Sequence, residues 1–181
     1  MNEYSQNFKL DIVDPMTFTN WNSMIQNSSS EYTIFHTSNW ASVLSDSYGF
    51  RACYFAMIER DQFIFLLPMM EVHNFLLGKK GICLPFTDYC NPIINRKVKL
   101  TDLLPQLLSA AQEYDWKSIQ IRDKGDSLGV NPPSSYYYRH TLALQSSEEA
   151  MFGKLKENYQ RKIKKALDPN GIMNPGNWEV T

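Results

Sequence analysis

The 181-residue chain contains no run of eighteen apolar residues. Its longest, Phe63 to Met70, is strand-sized and interrupted by Pro68, so no membrane-spanning helix or other integral membrane segment is expected. Met1 to Asp14 is polar and lacks the apolar region of a secretory signal. Cysteine and histidine are scarce. Cys53, Cys83 and Cys90 make an odd set, and His36, His73 and His140 form neither an H-x-x-x-H nor an H-x-H pair. An odd cysteine count with no signal predicts reduced thiols and a cytoplasmic location. The seven-residue step from Cys83 to Cys90 fits no common zinc spacing, so the thiols are expected to pack as small hydrophobes. No metal and no cofactor is expected. Charge of one sign is also missing. Eighteen basic residues stand against nineteen acidic ones, for a net charge of -1, which excludes a general nucleic-acid-coating protein but not a local basic patch. No G-x-S-x-G, C-x-x-C or Walker loop occurs.

What is present is core material. Hydrophobic residues make up 43% of the chain and aromatics 13%, which excludes a wholly disordered polypeptide. The length suits one domain, or one domain with an appendage. Residues 1–30 read as a polar, irregular segment, with a short helix over Thr17 to Ile25. Ser38 is placed to cap a helix running to Tyr48, and Gly49 to end it. Arg51–Ile58 and Gln62–Val72 flank the polar turn Glu59-Arg60-Asp61 and read as a β-hairpin, with Pro68 bending its second strand. Asn74 to Lys80 reads as a loop, Gly81 to Leu84 as a strand, and Pro85 to Pro92 as a structured loop. Thr101 is placed to cap a helix over Asp102–Tyr114, with Pro105 in its first turn. Ser118–Arg122 and Tyr136–Leu144 read as strands, and Ser147 caps a last helix extending to Ala166. This order predicts an α+β (mixed α/β) fold, with a largely antiparallel central sheet flanked by helices.

Two segments are candidates for chemistry. The second half of the last helix carries Lys154, Lys156, Arg161, Lys162, Lys164 and Lys165 against one acid, Glu157, a local charge of +5. It is either a solvated helix whose cations complement its own dipole, or a contact for a polyanion such as phosphate, a tRNA backbone or an anionic lipid headgroup. The loop Leu84-Pro85-Phe86-Thr87-Asp88-Tyr89-Cys90-Asn91-Pro92 holds polar side chains between two prolines. Such a loop suits a substrate-facing site, and equally an Asx-turn with Tyr89 packed over helix ends. A third segment, Arg122-Asp123-Lys124-Gly125-Asp126-Ser127, approaches the pyrophosphate loop of GNAT acetyltransferases. It ends in serine and runs into Leu128-Gly129-Val130-Asn131-Pro132-Pro133, which does not open a helix, so coenzyme A is not expected there.

Three segments in order resemble the FemAB-like proteins: Phe35-His36-Thr37-Ser38-Asn39-Trp40 with Tyr48-Gly49-Phe50, then Leu84-Pro85-Phe86-Thr87-Asp88-Tyr89, then the basic stretch Phe152 to Ala166, where Gln160 stands at an arginine position of the family's pattern. The resemblance implies a GNAT-like half-fold over residues 31–166. It further implies an aminoacyl or acyl transferase acting on an amine acceptor such as a peptidoglycan precursor. Asp88 would then be the best-placed catalytic carboxylate. Thr87, Tyr89, Asn91, Asn158, Arg161, Lys162, Lys164 and Lys165 would contact acceptor, aminoacyl-tRNA or a phosphate-bearing cell-wall precursor. The family has a second GNAT-like domain, so the chain is expected to need that domain or a partner chain. The alternative is a non-catalytic binding module recognising an anionic ligand or a protein. The remaining residues, 167–181, form a tail unlike the family. Asp168-Pro169-Asn170-Gly171-Ile172-Met173-Asn174-Pro175-Gly176 resembles the end of FAD-linked oxidases. A fragment, a truncated reading frame and a junction of two unlike sequences would each account for it, and no flavin is inferred.

Overall fold

The computed structural model describes residues 9–29, 31–87, 90–94, 98–123, 134–135, 143 and 146–167. The chain divides into two compact units, Met1–Tyr136 and Tyr137–Thr181. The predicted strand Tyr136–Leu144 apart from Ala143, most of the 122–127 loop and the tail after Leu167 lie outside the described residues.

The fold is α+β. In the first unit, the described strands are β1 (Asp11–Val13), β2 (Arg51–Ala52), β3 (Tyr54–Glu59), β4 (Gln62–Leu67), β5 (Met70–Asn74), β6 (Gly78–Ile82), β7 (Ile93–Ile94) and β8 (Trp116–Gln120). They form two four-stranded sheets, ordered β1-β3-β4-β7 and β2-β5-β6-β8. The predicted hairpin runs through both. Ala52 pairs with Met70 and Phe55 with Leu67, one continuous register, and Cys53 N–H donates to Met69 C=O at 2.9 Å between them. Pro68 has no N–H to give the ladder, and the sheets part there. Arg60 and Asp61 both take positive φ at the hairpin turn, 50° and 59°, the pattern of a type I′ connection. Every pairing is antiparallel except that of β6 with β8.

Helices α1 (Trp21–Ser28), α2 (Ser38–Tyr48) and α3 (Leu100–Glu113) pack on β4, β2 and β8 respectively. Within the polar 1–30 segment, Trp21, Met24 and Ile25 are buried, and Ser28 Oγ accepts the Phe63 amide at 2.7 Å. The cap of α2 is Thr37 rather than Ser38; its hydroxyl accepts from Trp40 N–H, while Ser38 is engaged by Asn22. Gly49 ends that helix at φ 67°. The third helix begins at Leu100, without a side-chain cap. Pro105 therefore falls in its second turn and leaves one rung unmade. Strand β6 starts three residues before the predicted Gly81, because Asn74 and Gly78 pair to close a tight hairpin with β5.

In the second unit, the predicted single helix over 147–166 is two: α4 (Glu148–Gly153) and α5 (Glu157–Leu167). Ser147 caps α4 as expected. Glycine at 153 is a poor helix former, and the Gln160 side chain donates back to Leu155 C=O at 2.8 Å. That bond satisfies a carbonyl in the break, so the Gln160 side chain stabilises the interruption.

Candidate functional site

In open sheets, ligands collect outside the carboxyl ends of parallel strands, where neighbouring connections diverge. Here the parallel pair is β6 and β8, joined through α3. Past their ends the backbones stay bonded: Cys83 N–H donates to Gln120 C=O at 2.8 Å, and Cys90 N–H to Arg122 C=O at 3.2 Å. Between these anchors lies a loop of which Leu84–Thr87 are described. Leu84 and Phe86 take φ of 41° and 63°, conformations costly for side chains with a Cβ. Two bonds hold its described part. Thr87 Oγ1 donates to Leu84 C=O at 2.8 Å, and the Arg122 guanidinium donates to Thr87 C=O at 2.6 Å.

The strained conformation turns Phe86 outward. Its ring is 63% exposed and lies 4.6 Å from the Tyr48 ring and 6.2 Å from the Phe50 ring. Tyr48 and Phe50 stack on each other at 5.5 Å with an interplanar angle of 18°. An open aromatic platform therefore sits beside the loop. Its parts were present in the sequence as Tyr48-Gly49-Phe50 and Phe86, but nothing in their spacing joins them.

Of the predicted loop residues, Asp88 and Tyr89 lie outside the described residues. Thr87 is buried, its hydroxyl directed into the loop. Asn91 contributes its backbone: its C=O accepts from His36 Nε2 at 2.8 Å. Arg122, expected at the end of a strand and the start of a poor phosphate loop, is the residue that pins this one.

Behind the loop, His36, Cys90 and Cys83 come together although 54 residues separate the first two. Thr33 N–H donates to His36 Nδ1 at 3.1 Å, so Nδ1 holds a lone pair and the proton sits on Nε2, which donates to Asn91 C=O. Cys90 Sγ lies 3.6 Å from that same Nε2. A nitrogen already carrying its proton cannot take one from the thiol, so the pair is no nucleophile and base. Burial holds the His36 imidazole below its ordinary pKa, against the pull of its bonds to Asn91 and Thr33. The Cys90 thiol is held well above its usual range by the bond with the Cys83 side chain and then by burial. All three cysteines are buried and unpaired. No group of three or more His, Cys, Asp or Glu side chains able to hold a metal comes together among the described residues.

A second polar cluster was not foreseen. The Glu71 carboxylate accepts from Trp116 Nε1 at 2.7 Å and from Arg51 at 2.9 Å, with Lys79 at 3.9 Å. Arg51 lies over the Tyr114 ring. Burial pushes the Glu71 carboxyl up, but the bonds from Trp116 and Arg51 outweigh it and hold the group below its ordinary pKa. These residues tie β2, β5, β6 and β8 together.

In the second unit, Asn158, Arg161, Lys162, Lys164 and Lys165 are all exposed on α5. Arg161 reaches Glu157 at 3.9 Å, while Lys162 lies over the Tyr159 ring and Lys164 over the Phe152 ring, each at 5.8 Å. Tyr159 and Ile163, on the same helix, are 52% and 39% exposed.

Residues 147–178 match the family model of FAD linked oxidases, C-terminal domain. The match takes in α4 and α5, so all five α5 candidates lie inside it together with residues 167–178 of the tail. No curated protein matches the chain, and no solved structure does. Among the described residues, no helix is long and apolar enough to cross a membrane.

Proposed function

We propose that the chain is a FemAB-like aminoacyl or acyl transferase domain that acts on an amine acceptor such as a peptidoglycan precursor. It works together with a second GNAT-like domain or a partner chain. The observation that carries this reading is the parallel pair β6–β8 joined through α3, with a strained loop at its carboxyl end beside open aromatic rings. Pinned at Thr87 by Arg122, that loop is a stiff platform for an acceptor. The exposed cations of α5 are the complement of a polyanionic donor such as aminoacyl-tRNA.

In the proposed step the acceptor amine attacks the ester carbonyl of the aminoacyl group. A C–N bond forms, the C–O bond to the tRNA ribose breaks, and the amine proton ends on the departing ribose oxygen. Most of the acceleration comes from positioning and from stabilising the oxyanion; Asp88 is the carboxylate proposed to receive the proton in passing.

A non-catalytic module recognising an anionic ligand or a protein is the second reading, and the Tyr48–Phe50–Phe86 platform favours it, since such a surface binds without chemistry. The experiment follows label from aminoacyl-tRNA into a muropeptide, using the chain supplemented with a FemAB C-terminal GNAT-like domain. Transfer that falls with Asp88→Asn supports the transferase. Muropeptide binding without transfer, lost with Phe86→Ala, supports the module.

A further inference from the structure

The β5–β6 hairpin ends in three consecutive apolar residues that touch little else: Phe75, Leu76 and Leu77 are 94%, 85% and 60% exposed. A loop tip normally carries polar residues, and three adjacent large hydrophobes on one are an apolar patch that needs a partner. The backbone beneath them is prepared for a dry environment. Asn74 Oδ1 accepts from both Leu76 N–H at 2.9 Å and Leu77 N–H at 3.1 Å. Two amides that would otherwise need water are thus bonded within the turn, which lowers the cost of desolvating it. Asn74 pairs with Gly78, and Gly78 takes φ 75°, the left-handed position that closes a three-residue hairpin loop. The tip is a fixed projection.

The surroundings name the partner. Lys79 and Lys80 follow the tip directly, His73 precedes it, and the Lys117 side chain runs alongside Gly78. Glu71 and Asp115 offset part of this charge, through Lys79 at 3.9 Å and Lys117 at 2.7 Å. Lys80 has no ion pair among the described residues. A convex apolar point ringed by an excess of lysine suits a deformable anionic surface better than a rigid groove.

We infer that the Phe75–Leu77 hairpin tip is a membrane-interface anchor, which inserts its three side chains among the acyl chains of an anionic bilayer while the lysines at its base meet the headgroups. The tip joins the amino end of β6 and the site loop follows its carboxyl end, so the anchor is separate from the parallel-strand site and independent of what that site does.

The test uses the full 181-residue chain and vesicles of equal parts phosphatidylcholine and phosphatidylglycerol, with pure phosphatidylcholine as reference. The triple substitution Phe75→Ser, Leu76→Ser, Leu77→Ser changes only exposed positions, so its urea midpoint should equal that of the parent. Its partition to the mixed vesicles should fall on the order of tenfold or more. Because the native cysteines are buried, Leu76→Cys accepts an environment-sensitive fluorophore selectively, and its emission should shift blue on mixed vesicles even when the α5 cations are replaced by alanine. Unchanged partition of the triple variant, or a label that stays in water, would overturn the anchor. So would a concentration-dependent self-association of the parent, lost in the triple variant, with no vesicle binding; the tip would then be a contact between copies.

Discussion

Gly81 lies against the face of the Trp116 indole, so close that a Cβ on Gly81 would sit 2.3 Å from ring atoms Cε3 and Cζ3. The ring has no room to retreat. Its Nε1 is bonded to Glu71, and it packs edge-on to Phe55 and against Tyr114. The parallel pair β6–β8 depends on this contact, because Gly81 pairs with Ile119 in the same ladder. Gly81→Ala should therefore destabilise the chain by about 1–3 kcal/mol, the usual cost of overpacking, seen as a lower urea midpoint. An unchanged midpoint would mean the strands can separate without loss.

The Glu71 cluster supplies a pH-dependent part of the stability. Its carboxyl has a lower pKa folded than unfolded, so its contribution is fully present above the unfolded carboxylate value and is lost as pH falls through the folded one. Glu71→Gln should cost about 1–3 kcal/mol at neutral pH, since it weakens charge-assisted bonds to Trp116 and Arg51. Urea titrations of parent and variant should converge as the solution is acidified below the carboxylate range. A gap that widened on acidification would contradict the assignment.

The thiols should be inert in the folded chain. Burial pushes Cys53 up to about 11 and helps hold Cys90 high, and reactivity follows the thiolate. The bond with the Cys90 side chain holds Cys83 below its ordinary range, so its inertness rests on its complete burial, which keeps reagent from the sulfur. An aromatic disulfide reagent at neutral pH should show almost no fast reaction with the native protein, then three thiols once denaturant is added. A fast stoichiometric reaction lost in Cys90→Ser would instead make the His36–Cys90 pair functional.

The local signals in the sequence were enough for much of the fold. Gly49 could end a helix, the Glu59–Asp61 turn could close a hairpin, and Ser147 could cap, because each acts through its own neighbours. Pro68 announced a bend, but that the bend divides one hairpin between two sheets depends on β1, β7, β6 and β8 arriving from elsewhere. The Thr37 cap was missed because Asn22, sixteen residues away, engages Ser38. The break at Gly153 was missed because the alternation of apolar and basic residues continues across it, and only the reach of Gln160 shows where carbonyls need a donor. At the site, the loop was legible from its prolines. Its pin, Arg122, was not, nor were the Phe86 platform and the Glu71–Trp116 bond. Each joins residues at least 35 positions apart, and periodicity carries no information at that range.

The proposed role of α5 as the donor-side contact stands or falls on tRNA binding to the full chain across a salt series. Affinity should fall steeply with salt. Replacing Arg161, Lys162, Lys164 and Lys165 by alanine should reduce the slope of log affinity on log salt by roughly one for each charge removed. Affinity indifferent to salt, or a four-alanine variant that binds tRNA as the parent does, would contradict it.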